Sequence, residues 1–153
     1  MTKKTKKILT AVILLVLAAQ FCLASAIVQN AEISTIRGKD WNLQEVRTGS
    51  DKVKIERTNE NSLYILRFDT ERISGTAAPN RYFAPYTASG ATGMSIGLIA
   101  GTLMAPLFER SDLREQTYFN YLQKTFRWSM ENGKLLLYTL NERDAEVILV
   151  FSD

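Results

Sequence analysis

Histidine is absent from all 153 residues. Without an imidazole there is no Ser-His-Asp or Cys-His relay and no histidine ligand for a metal. Cysteine is almost absent too: Cys22 is the only one. A lone cysteine forms no internal disulfide and builds no thiolate zinc site, so stability has to come from a packed core. Proline is limited to Pro79, Pro85 and Pro106, and no Pro/Ser linker, repeat or low-complexity tract divides the chain. No serine is followed by lysine at the S-x-x-K spacing, which leaves no Ser/Lys nucleophile pattern.

What is present begins at the N-terminus. Lys3, Lys4, Lys6 and Lys7 precede an almost wholly apolar stretch, Ile8 to Leu23, and Ala24-Ser25-Ala26 follows as an A-x-A cleavage site. This reads as an export signal, 1–26, cut after Ala26. The alternative is an uncleaved anchor, although the stretch falls short of the ~20 residues that span a bilayer comfortably. Lipidation at Cys22 is disfavoured, because bulky Phe21 precedes it where a small residue is needed. The expected location is the periplasm or the exterior, with membrane contact only through this segment. Removing it also removes four lysines and no acid, so the formal charge falls from +3 to 3 − 4 = −1. The basic balance belongs to the signal and gives no argument for nucleic-acid binding.

The remaining residues suit one domain. Residues 27–38 read as a lead-in and 39–153 as the domain. Strands are expected at Trp41–Val46, around Val53 and Ile55, at Leu63–Phe68, in a short piece from Glu71 to Gly75, and at Met94–Leu98. Gly75, Pro79, Pro85, Gly90 and Gly93 punctuate the intervening stretch, which reads as irregular. Gly97 marks a bulge or a close backbone approach. A helix is expected from Asp112 to about Thr125, with Asp112 and Glu115 as a capping box and Leu113, Tyr118, Tyr121, Leu122 and Phe126 along one side. Asn132-Gly133 signals a type I′ hairpin between Phe126–Met130 and Leu135–Tyr138, and Val147–Phe151 closes the chain. Seven or eight short strands with one helix point to an α+β domain whose antiparallel sheet curls into an open barrel.

The available chemistry is thin. Asp69 with Glu71, or Glu109 with Asp112, pair two carboxylates, but at turn and cap positions where solvated acids are expected. Glu109, Asp112 and Glu115 match no calcium-loop spacing. No catalytic, metal-binding or cofactor-binding residue is assigned, and no enzyme is expected. Arg81, Tyr82, Phe83 and Tyr86 form the candidate binding surface, since loop aromatics supply contact area at low entropic cost. The competing reading has the same aromatics plugging a barrel mouth. A curled sheet over a helix also offers a place for an apolar groove that takes a lipid or acyl chain.

Several motifs in order resemble one family: Trp41 and Leu43, Leu66-Arg67-Phe68, the run Ile73 to Asn80 with Tyr82, Met94 to Thr102, Met104-Ala105, Glu115, Phe119 and Leu122, and Leu135 with Leu137. The chain from about Lys39 to Phe151 is similar to the META domain, or HslJ-like, family of bacterial envelope and secreted proteins. That resemblance implies a non-enzymatic exported protein linked to heat shock and envelope stress, working by binding an envelope protein or, alternatively, a lipid or hydrophobic ligand as secretion pilot proteins do. Family members often carry cysteines where this chain has Pro79 and Pro106, so the resemblance implies a disulfide-free member.

Overall fold

The computed structural model describes residues 33–55, 63–105 and 113–153. Residues 36–153 form one compact unit; the helical residues 33–35 belong to a separate unit covering 1–35. The expected signal with Ala26, and Pro106, Glu109 and Asp112, lie outside the described residues.

Alternating side chains dominate the compact unit. Ten strands run in chain order as β1 (Asp40–Thr48), β2 (Asp51–Lys54), β3 (Tyr64–Phe68), β4 (Arg72–Ala77), β5 (Asn80–Ser89), β6 (Gly93–Ile96), β7 (Ala100–Gly101), β8 (Arg127–Glu131), β9 (Lys134–Leu140) and β10 (Glu146–Ser152). Among the described residues of this unit, the helix α1 (Glu115–Gln123) stands between β7 and β8. All the strand pairings are antiparallel. The order β1-β3-β4-β5-β6-β8-β9-β10 returns to β1, which makes a closed eight-stranded barrel. Its thinnest seam is β6–β8, where a single residue pair, Gly93 with Arg127, joins the two strands.

Closure corrects the open-barrel, α+β expectation: the protein is mostly β. The pairing that closes it joins the first strand to the last, and nothing local in the sequence announces a partner about 100 residues away. A register shift between Leu43 and Glu45 lets β1 follow β10 along one edge, while its other edge divides between β3 and β2.

The stretch expected to be irregular is instead the β4–β5 hairpin. Pro79 sits in its turn. Pro85 is tolerated because the amide of Tyr86, not that of residue 85, bonds back across to Glu71. On the other side of β5 the missing N–H does matter. The ladder breaks opposite Pro85, and residues 97–99 loop out between β6 and β7. Gly97 sits at that break, where a Cβ would come 2.9 Å from Pro85 Cγ. The strand expected at Met94–Leu98 accordingly stops at Ile96, and Leu98 faces solvent. The Asn132-Gly133 hairpin is present with positive φ at both residues, 51° and 76°.

The barrel interior is filled by side chains. Trp41, Leu43, Phe68, Leu137, Leu149 and Phe151 are almost wholly buried, and α1 adds Tyr118 and Leu122. The helix begins at Glu115 with Arg114 as its N-cap and no side-chain capping bond, later than the expected Asp112 start. Phe126, placed on the buried stripe by helical spacing, falls after the helix and is exposed.

Candidate functional site

The four residues of the candidate surface lie on β5, and strand alternation splits them. Arg81 and Phe83 face outward, whereas Tyr82 and Tyr86 face the interior. The Tyr86 hydroxyl accepts from Arg37 Nε at 3.0 Å and donates to the carbonyl of Asp69 at 2.8 Å. Tyr82 reaches across Gly75 and donates to the carbonyl of Ile65 at 3.0 Å. Its proton so committed, the Tyr82 oxygen accepts from the Tyr118 hydroxyl at 2.9 Å. The Tyr118 ring packs 4.8 Å from Tyr64. Burial pushes the phenols of Tyr82 and Tyr118 well above their ordinary pKa, so both stay neutral. Gly75 is required here, because a Cβ would come 1.9 Å from the carbonyl oxygen of Ile65 and 2.8 Å from the Tyr82 hydroxyl. This cluster staples β3, β5 and α1 together.

Of the carboxylates considered earlier, Glu109 and Asp112 lie outside the described residues. Asp69 lies within ion-pair reach of Arg67 and Arg72, at 3.9 and 3.7 Å, on the surface. Among the described residues no group of three or more acids, histidines or cysteines has metal-binding geometry.

A second buried polar residue has more consequence outside the barrel. Asn80, 3 % exposed, uses its whole amide. Nδ2 donates to the carbonyl of Met104 at 3.0 Å and to Glu115 Oε2 at 2.9 Å. Oδ1 accepts the amide of Met104 at 2.8 Å and the hydroxyl of Thr102 at 2.7 Å. Thr102 Oγ1 in turn accepts the amide of Arg81 at 3.1 Å. One side chain thus fixes the start of β5, the segment after β7 and the first turn of α1.

Between that segment and α1 lies a groove of about 480 Å³, with Ile99, Gly101, Leu103 and Met104 on one wall and Phe119 and Gln123 on the other. Of its lining, Leu103 is 100 % exposed and Met104 53 %, and Leu98, the chain neighbour of the lining residue Ile99, is 83 % exposed. Clusters of this kind on a soluble surface mark contact sites more often than chance. A second cleft, of about 380 Å³, lies between α1 and the β9–β10 turn and is lined by Asn120, Tyr121, Lys124 and Glu142 among others. Its lysine is engaged, donating to the carbonyl of Asn141 at 3.0 Å and lying 3.8 Å from Asp144. Partial burial, with the nearby Glu142 carboxylate, pushes the Tyr121 phenol upward.

The model of the META domain matches residues 34–152. The chain belongs to the META domain family. This is a family of envelope-associated proteins, and the match extends over the whole barrel. The NMR structure of the protein from Burkholderia xenovorans has a similar fold, with a TM-score of 0.58 at 19 % identity over 80 % of this chain and 86 % of that one. Among curated proteins none matches.

Membership explains part of the motif order. In this META domain the 73–82 run supplies Ile73 and Ala77 to the core, Gly75 for clearance, and Asn80 and Tyr82 for their hydrogen bonds. The contact between Asn80 and Met104 also brings the Pro79 turn close to the segment leading to Pro106. Sequence reasoning passed over Asn80, Gly101, Leu103 and Phe119 as site residues. A lone Asn after a turn proline, and an apolar stretch resembling a core strand, gave little signal.

Proposed function

We propose that this META domain is an exported, non-enzymatic envelope protein that serves envelope maintenance under stress, heat included, by binding through the groove between β7 and α1. The observation that carries the reading is the exposed apolar rim of Leu98, Leu103 and Met104 beside that groove, held in place by Asn80. A loop that merely joined two elements would have no need of three hydrogen bonds to one buried amide. Of the aromatic surface expected on β5, Phe83 and Arg81 face outward, Phe83 paired with Ala100 of β7, while Tyr82 and Tyr86 pack inside. The N-terminal segment supplies export to the periplasm or beyond. No cofactor or metal enters the proposal.

The test is complementation. A strain lacking the gene, challenged by heat or envelope-active antibiotics, is given the wild-type protein or the Leu103→Ser, Met104→Ser double variant. The double variant is expected to fail while its melting temperature stays within a few degrees of wild type, since both side chains are exposed. Full rescue by the variant removes the groove from the function. A hydrophobic small ligand or lipid is the second reading. Because the barrel interior is packed, such a ligand has its place in this same outer groove, and native mass spectrometry of protein isolated from its own envelope detects it.

A further inference from the structure

Among the described residues strand β7 pairs on one edge only, with β5, through Tyr82 with Gly101 and Phe83 with Ala100. In an antiparallel ladder successive residues turn their backbone groups alternately toward and away from the partner. The amide of Thr102 donates to the carbonyl of Arg81 at 3.0 Å, and Ala100 pairs with Phe83. Gly101, between them, therefore directs its N–H and C=O away from β5, into the groove. The strand proper is Ala100–Gly101, so Gly101 is its one residue that offers both backbone groups to a partner.

Three features make this edge a receptor and not a mere fringe. Gly101 has no side chain, and a Cβ there would sit 3.9 Å from the Phe119 ring and 3.2 Å from the Arg81 carbonyl, so the groove floor is open backbone next to an aromatic wall. A glycine in a strand often marks a place where another backbone comes close. The segment Ile99-Ala100-Gly101-Thr102-Leu103-Met104 carries no charge, no lysine and no proline, the devices by which proteins blunt an edge. Among the described residues the lining holds no cation, and its one carboxylate, Glu115, already accepts from Asn80.

We infer that β7 accepts an extended, uncharged peptide segment of a partner protein by strand addition, its backbone bonding to Gly101 and its alternate apolar side chains packing on Phe119 and Leu103. Main-chain bonds supply affinity, and the alternate pockets supply selectivity. This deepens the binding reading above and rests on it.

The probe is a blocked hexapeptide of alternating threonine and valine, set against the same peptide N-methylated at every second residue on its bonding side. Both have the same apolar side chains, and only the first can donate along the edge. Titration into isotopically labelled protein is expected to shift the Gly101 and Leu103 amides and to protect the Gly101 N–H from exchange with the first peptide alone. Gly101→Pro deletes the outward N–H and leaves the β5 ladder intact. It is expected to weaken binding about tenfold more than Gly101→Ala, which adds the same Cβ and keeps the donor. Melting curves of both variants verify that the barrel is intact.

Equal binding of the two peptides overturns strand addition and leaves a groove that captures apolar side chains. Gly101 protection that grows with protein concentration alone overturns the partner segment in favour of a second copy of this chain. Binding to neither peptide, with shifts at Leu103 on adding phospholipid vesicles, overturns it in favour of lipid. In each case the complementation result stands or falls separately, so failure here is distinct from failure of the binding function.

Discussion

Two strands lie outside the closed barrel, and they meet solvent in opposite ways. Among the described residues β2, Asp51-Lys52-Val53-Lys54, is exposed at every residue and pairs with β1 alone. β7 pairs among them with β5 alone, and the chain from it to Met104 carries no charge. Closure removes edges from the barrel itself; these two additions bring edges back. One is guarded by two lysines in four residues, a standard defence against edge-to-edge pairing. The other is bare, and a buried asparagine holds it in position. An unguarded apolar edge is an aggregation liability, so its presence beside a guarded one argues that it has a use.

The largest effect comes from removing both edges together by unfolding the barrel that carries them. Tyr82 and Tyr118 are buried as neutral phenols with pKa raised by burial. The unfolded chain releases their protons near pH 10, whereas the folded chain retains them. Their contribution is therefore complete below about pH 10 and is lost as pH rises beyond it. Cooperative unfolding is expected between about pH 10 and pH 12, followed by circular dichroism. The Tyr82→Phe, Tyr118→Phe variant should have a shallower alkaline slope, and an unchanged slope would assign the transition to other groups.

Gly75→Ala attacks the same wall sterically. A Cβ 1.9 Å from a backbone oxygen forces β3 and β4 apart, at a cost of about 3 kcal/mol or more in urea unfolding. A loss below about 1 kcal/mol would mean that the hairpin relaxes freely. Asn80→Ala is narrower. It strips the segment after β7 of its partners at Met104 and Thr102 and costs about 2–3 kcal/mol. Its sharper signature is local: amide exchange at Thr102 and Met104 accelerates while β1, β2 and β10 remain protected. Uniform acceleration would show that the β7 edge is not a separable feature.

These sensitivities also explain what could be read from the sequence. Trp41–Val46, Leu63–Phe68 and the Asn132-Gly133 hairpin were legible because alternation and turn chemistry are local. β5 was not, because Pro79 and Pro85 look like breakers unless it is known that one occupies a turn and the other faces a gap in the ladder. With β5 hidden, the alternation separating Tyr82 and Tyr86 from Phe83 was hidden as well, and the four residues read as one surface. Leu98 and Leu103 belong to an apolar run that resembles a core strand. Only the break opposite Pro85 turns it outward, and that break depends on a pairing partner the run does not contain.

The smallest effect on stability is the most direct test of the contrast between the edges. Lys52→Val with Lys54→Val leaves β2 paired with β1 and alters only exposed side chains, so the folding free energy should move by no more than about 0.5 kcal/mol. What should change is association. With its guards removed, β2 becomes a flat β-branched edge, and gel filtration should show dimers and larger species growing with concentration. The complementary change, Leu103→Lys, places a guard on β7 and is expected to abolish hexapeptide binding with no loss of melting temperature. If the β2 variant stays as monomeric as wild type, charge is not what separates the two edges. The bare β7 would then lose its claim to be exposed for a reason.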